Sequence, residues 1–400
     1  MTRLTLLSFL FLVACAAPTV APKPDVEFAW TALGAGGKAI VRAVASGSCP
    51  SLVADGKEIP MQERISPNED FPVPVCQAEA PAGAHSLNVG GKIVPAWNSD
   101  FRRILFLGDT GCRIKKGKNG KTTVQACNDP EQWPFARIAA TAAAWKPDLV
   151  IHVGDYHYRE SDCPPGNSAC AGSITGDRWL SWRQDFFAPG APLLGAAPWI
   201  FVRGNHEICK RAGNGWFLLL DPRALPASCT DASPAYQIPV NHHLLAVIDS
   251  GLDTNIEPSL AGVPASTKEA FTWLLLHRPF LTPGADDEAK SPAHLTKELS
   301  GPGAISAVFS GHRHILSLNQ FSDSRPPELI TGNGGDALES LEKKRGMGIK
   351  SAQFHDFGFL TLEKKESGAW VMQEHDRMGA VVKTCELTEK AGRKTELKCP

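Results

Sequence analysis

Between Arg103 and Phe309 the chain repeats one arrangement: a short apolar run, then a polar side chain able to hold a metal. The runs are RILFL (103–107), LVIHV (149–153), WIFV (199–202), LLAVI (244–248), TWLLL (272–276) and AVF (307–309). Runs this short and this continuously apolar, alternating with helical stretches, specify buried, largely parallel strands of an α/β sheet. The helical stretch PEQWPFARIAATAAAWKP is expected to begin at Pro130 and to stop at Pro147. In GDRWLSWRQDFF, Trp179, Trp182 and Phe186 share one helical face and are expected in the core. From about residue 354 the chain turns to hairpin-like strands, so the sheet system is mixed.

The chemistry stands just beyond the end of each run. GDTG (108–111) comes after the first, GDYHY (154–158) after the second, and Arg203 with GNHE (204–207) after the third. Asp249 comes after the fourth, the fifth ends at His277, and the sixth leads to GHRH (311–314). In open α/β sheets ligands gather outside the carboxyl ends of the strands. A glycine before Asp109, Asp155, Asn205 and His312 permits a tight exit from each strand. A single GD is usually a turn, and a single HxH is usually two ordinary histidines. Asp109, Asp155, Tyr158, Asn205, His277, His312 and His314 at equivalent topological positions read together as the donor set of a metal centre.

This order of motifs resembles the calcineurin-type metallophosphoesterases and, within them, is most similar to the purple acid phosphatases. The resemblance covers about residues 102–335. It implies a two-sheet αββα sandwich, a two-metal site and a small phosphorylated substrate. By that resemblance Asp155 bridges the metals. Asp109, Tyr158 and His314 complete one site, and Asn205, His277 and His312 the other. Tyr158 stands where the family places a phenolate ligand to ferric iron, with zinc, manganese or ferrous iron in the second site. His206 matches the family's catalytic histidine and is the expected general acid for the leaving alkoxide. The implied reaction is phosphomonoester hydrolysis by a metal-bound hydroxide. Phosphodiester hydrolysis, including nucleotide or cyclic-nucleotide diesters, is the alternative, and a non-catalytic metal-binding lipoprotein is a further one.

The departures from the family pattern are informative. Many relatives have GD-x-H at the first motif, and here that position is Gly111. Arg159 occupies the place of the phosphate-binding arginine of the protein Ser/Thr phosphatases (GDYVDRG), which makes it a candidate phosphate clamp or else a salt-bridged arginine. Arg203 is expected to be structural, Tyr156 to pack, and His157 has no assigned role. His242, His243, His294, His355 and His375 match no motif. GNGGD (332–336) is expected as a loop below the site, and KKGKNGK (115–121) and LEKKRG (341–346) as solvated charged segments.

The N-terminus reads differently. MTRLTLLSFLFLVAC has one arginine and a mostly apolar run too short to span a bilayer. Leu12-Val13-Ala14-Cys15 resembles a lipoprotein box, with a plain signal peptide as the other reading. Residues 1–14 are then the signal, 15–24 a Pro/Ala-rich tether, 25–98 a small β-sandwich domain, and 102–400 the catalytic domain. A lipid on Cys15 would anchor an exported protein facing the periplasm, the outer membrane being preferred. In an oxidising compartment the other ten cysteines are expected to pair as near neighbours: 49–76, 112–127, 163–170, 209–229 and 385–399. A formal net charge of −1 and the lack of a basic stripe argue against a nucleic-acid partner.

Overall fold

The computed structural model describes residues 24–117, 119–261, 263, 270–279, 281–282, 305–341, 349–389 and 395–399. The expected signal, Cys15, most of the tether, His294 and most of LEKKRG lie outside them.

Two large sheets pack face to face. In the first, Arg103–Leu107, Leu149–His152 and Trp199–Phe201 are parallel neighbours. Gly358–Lys364 joins Arg103–Leu107 antiparallel, and Trp370–Asp376, Val381–Thr388 and Glu396–Lys398 continue outward as hairpins. The second sheet holds His243–Val247, Phe271–Leu275, Ala307–Ser310 and Glu328–Thr331 in parallel, with antiparallel strands at both ends.

Side chains alternate across a strand, and here both faces are covered. Phe106, Ile151 and Ile200 point between the sheets and meet Leu245, Trp273 and Phe309. The rings of Phe106 and Phe309 stack at 4.2 Å. Leu105, Leu107, Val150 and Phe201 point the other way, against the Phe135–Ala144 helix and the buried Trp179, Trp182 and Phe186. Ala246, Leu274 and Val308 do the same on the second sheet, against Ile256 and Leu260 of the Ile256–Leu260 helix. The result is an αββα sandwich. It explains why the runs carry apolar side chains on both faces. The Phe135–Ala144 helix starts later than Pro130. Pro134 precedes it, and Trp133 is held outside by donating its indole N–H to the Thr110 carbonyl at 2.9 Å.

The N-terminal region is β-rich, and its strands divide between two sheets. Val26–Leu33, Ala39–Ala45, Val75–Glu79 and Gln62–Glu63 extend the first large sheet, with Ala32 opposite Trp199 in parallel. Ser51–Ala54, Lys57–Pro60, Leu87–Val89 and Lys92–Val94 form a sheet of their own. The expected boundary near residue 98 thus separates stretches of chain but not sheets, because a sheet edge recruits any strand that satisfies its hydrogen bonds. The five cysteine pairs are those expected from proximity in sequence.

Candidate metal centre

The site lies at the carboxyl ends of the central strands of both sheets. Asp109, Asp155 and His312 each leave their strand with positive φ, at 56°, 59° and 69°. A side-chain-bearing residue in this region is strained by about 1–3 kcal/mol. The strain therefore rests on the donors themselves. Two of the glycines before them serve close packing: a Cβ on Gly108 would lie 2.6 Å from Val153 Cγ2, and one on Gly311 2.6 Å from Asp109 Oδ2.

The seven donors converge. Tyr158 Oη lies 2.9 Å from Asp109 Oδ1, 2.9 Å from Asp155 Oδ2 and 3.0 Å from His314 Nε2. His277 Nε2 lies 3.1 Å from the same Asp155 Oδ2 and 3.0 Å from Asn205 Oδ1. Asp155, His277 and His312 each bring a ligand atom within 4.8 Å of the others. His277 Nδ1 faces the Val153 carbonyl at 2.8 Å and His314 Nδ1 the Ala337 carbonyl at 2.9 Å. A carbonyl only accepts, so each Nδ1 carries a proton and each Nε2 is the nitrogen turned to the centre, as a metal-holding histidine requires.

Electrostatics point the same way. Burial raises the Asp109 carboxyl, partly offset by His314. Burial also opposes the Asp155 charge, yet His277 and His206 hold that carboxyl well below its usual range. Burial, Asp109 and Asp155 push the Tyr158 phenol well up. Two buried carboxylates around one phenol call for a cation. Carboxylate, phenol, amide and imidazole donors suit harder cations rather than copper(I). The residues fit divalent metal ions.

Glu160, Arg211, Asp336 and Glu207 also belong to the site, although sequence reasoning assigned them nothing. His206 Nδ1 meets Glu160 Oε1 at 2.8 Å, and its ring tilts over Tyr158 with centroids 3.7 Å apart. Burial pushes His206 down to about 4, against the pull of Asp155 and Glu160. Arg211 Nη2 lies 2.7 Å from both ring nitrogens of His206, and Arg211 also donates to the Asn205 carbonyl and pairs with Glu160. Asp336, the last residue of GNGGD, pairs with Arg113 and lies 3.3 Å from His314 Nδ1. Despite burial, Asp336 and Asp109 lift His314 to about 9. Glu207 accepts the amides of Asp155, Tyr156 and Gly204 at 3.1, 2.9 and 3.0 Å and so ties two ligand loops together. The only sequence signal for these groups was an acid at the end of a ligand motif.

Arg159 does not stand free to bind phosphate. Its guanidinium is buried, bonds Asp185 at 2.9 Å and Ser173, and lies over Trp133. Asp185 also accepts the amides of Cys112 and Tyr158. Arg159 thus locks the ligand loop and is not a free phosphate clamp. Arg203 is structural, bonding the Glu207 carbonyl and Asp249. Tyr156 packs on His152, and His157 bonds Ser181. His243 pairs with Glu389, and His375 bonds Thr361.

An αββα sandwich carrying this donor set at the ends of its strands defines a metal-dependent phosphoesterase. The chain belongs to the calcineurin-like phosphoesterase family, whose model matches residues 102–316, more than half of its length. Among solved structures its fold is similar to that of purple acid phosphatase PPD1 from yellow lupin (Lupinus luteus) seeds. That likeness has a TM-score of 0.61 at 14% identity, over 90% of this chain and 74% of the other. GAP50, the anchor in the inner membrane complex of Plasmodium, is similar over 73% of this chain and 89% of its own, at 15% identity and a TM-score of 0.46. No curated protein matches the chain.

Proposed function

We propose that the protein hydrolyses phosphomonoesters at a centre of two metal ions. One observation carries this: Asp155 Oδ2 lies 2.9 Å from Tyr158 Oη and 3.1 Å from His277 Nε2, so a single carboxylate oxygen faces both donor groups. Asp109, Tyr158 and His314 would hold one ion, Asn205, His277 and His312 the other, with Asp155 shared. The ions would offset the charge of the ester and supply a water acidic enough to attack phosphorus near neutral pH.

The chain's own groups do the rest. His206 stands beside the shared carboxylate, its Nε2 3.8 Å from Asp155 Oδ2. Glu160 accepts from Nδ1, so in the doubly protonated ring Nε2 would carry the proton delivered to the leaving oxygen. Arg211 places positive charge at the same edge. Tyr158 favours ferric iron at its own site, with zinc, manganese or ferrous iron at the other. The LVAC segment and five disulfides support an exported, lipid-anchored protein.

The test is turnover of a chromogenic phosphomonoester and its matching diester by the soluble chain starting after Cys15, with Asp155→Ala as control. Monoester turnover that disappears in the variant is the expected result. A diester preference would move the assignment to a phosphodiesterase. No turnover of either ester by the metal-loaded protein would overturn the catalytic reading.

A further inference from the structure

We propose that Arg278, the residue after His277, binds the phosphoryl group of the substrate and selects dianionic monoesters over monoanionic diesters. This assignment rests on the phosphomonoesterase reading and deepens it.

The backbone brings Arg278 to the centre and fixes it there. Ser250 Oγ accepts the amides of both His277 and Arg278, at 2.8 and 3.0 Å. Pro279 follows and is buried, and a proline disfavours helical backbone at the residue before it. The side chain reaches across to the GHRH motif, where Nη1 lies 3.1 Å from His312 Nε2. The guanidinium therefore touches the donor set itself.

It does so on the side open to solvent. Asp109, Asp155, His277 and His314 are at most 4% exposed, whereas His312 is half-buried. From His312 the guanidinium extends to Asp253, whose carboxylate is 47% exposed. A ligand entering from solvent meets this edge.

Its partners set Arg278 apart from the other arginines around the centre. Arg113, Arg159, Arg203 and Arg211 pair with Asp336, Asp185, Asp249 and Glu160, all well shielded carboxylates. Among the described residues the only carboxylate paired with Arg278 is Asp253, 3.4 Å from Nε. That contact is not a hydrogen bond, and Nε is buried with no hydrogen-bond partner among the described residues. The one hydrogen-bond contact of the guanidinium among them is the His312 ring. A guanidinium has five N–H donors and no acceptor, so most of its donors here await an oxygen.

The position is unfavourable unless an anion joins it. A fixed positive charge beside an imidazole of the donor set repels any cation held there. An anion lying against both the guanidinium and the donors offsets that repulsion and supplies the missing acceptors. The planar fork of arginine matches the oxygens of a phosphoryl group. The selection follows from charge and oxygen count. A dianion gains more from an added cation than a monoanion does. A monoester also keeps a third free oxygen, which esterification removes from a diester.

The test uses the metal-loaded soluble chain and its Arg278→Ala and Arg278→Lys variants. Metal content after dialysis, calorimetric affinity for inorganic phosphate, and kcat/KM for a chromogenic monoester and its matching diester are measured. Arg278→Ala should keep its metal and bind phosphate at least about tenfold more weakly. It should lose about 100-fold in kcat/KM on the monoester and no more than about threefold on the diester. Arg278→Lys keeps the charge without the fork and should recover part of the monoester loss. Metal lost from Arg278→Ala would make the residue a support of His312 and overturn the assignment. Unchanged phosphate affinity, or equal losses on the two esters, would overturn it as well. In these cases monoester turnover by the unsubstituted chain leaves the phosphatase standing. If that chain hydrolyses no monoester, both fall.

Discussion

His206 Nδ1 lies 2.8 Å from Glu160 Oε1, in a site where burial otherwise works against a charged imidazole. The carboxylate fixes the ring's tautomer and favours the doubly protonated form that a proton donor needs. Glu160→Gln should therefore lower kcat by about 10- to 100-fold on alkyl phosphates. The loss should be only a few-fold on a nitrophenyl ester, whose leaving group needs little proton assistance. An equal loss on both esters would show that Glu160 serves the fold rather than the proton.

Tyr158 meets Asp109, Asp155 and His314 through one oxygen. If it holds ferric iron as a phenolate, the oxidised protein should absorb visible light. Tyr158→Phe should abolish that band and reduce iron content. Optical spectra and elemental analysis of both proteins decide it. An unchanged band in the variant would rule the ligand out.

Gly204 lacks a Cβ because there is no room for one: it would lie 2.1 Å from Asp155 Oδ1 and 2.8 Å from Glu207 Oε2. Gly204→Ala should displace the shared carboxylate and weaken metal retention at least tenfold. Metal content after dialysis against a weak chelator is the readout. Full retention would mean that the loop yields without moving Asp155.

Arg159 and Asp185 form a buried ion pair, with exposures of 5% and 0%, so removing one partner strands the other. Arg159→Ala should destabilise the fold by about 3–5 kcal/mol in urea denaturation. KM for a phosphomonoester should change little. A large rise in KM with an unchanged denaturation midpoint would restore the clamp role.

Glu374 Oε1 accepts from Asn333, while Oε2 has no hydrogen-bond partner among the described residues. Burial, then Asp356 and Asp376, hold its carboxyl well above the usual range. The folded pKa exceeds the unfolded one, so this group favours the fold below about pH 4 and costs stability as pH rises through the folded pKa. Glu374→Gln should flatten the fall in Tm between about pH 5 and about pH 8. A parallel fall in both proteins would show that the acid carries no such penalty.

Much of this protein was legible as sequence because the relevant patterns are local. Six apolar runs became buried strands, and a donor stood at or just beyond the end of nearly every run. Near-neighbour cysteines paired, and three of those disulfides begin just after a donor motif. Strand period, tight exits and short disulfide loops are all settled within a few residues of chain. The sequence could not say which partner a side chain would choose. Arg159 matches the phosphate-binding arginine of relatives in sequence, yet Asp185, brought in by a helix, takes its guanidinium. Arg113 meets Asp336 across 223 residues, and nothing near either one marks the pairing. The N-terminal strands could be recognised as strands, but their joining the catalytic sheet through Ala32 and Trp199 could not. Sequence determined the elements and the donors they carry, because those depend on local conformation. Tertiary structure decided which charges are paired and which groups surround each donor. Those depend on groups far apart in the chain that only packing brings within hydrogen-bonding distance.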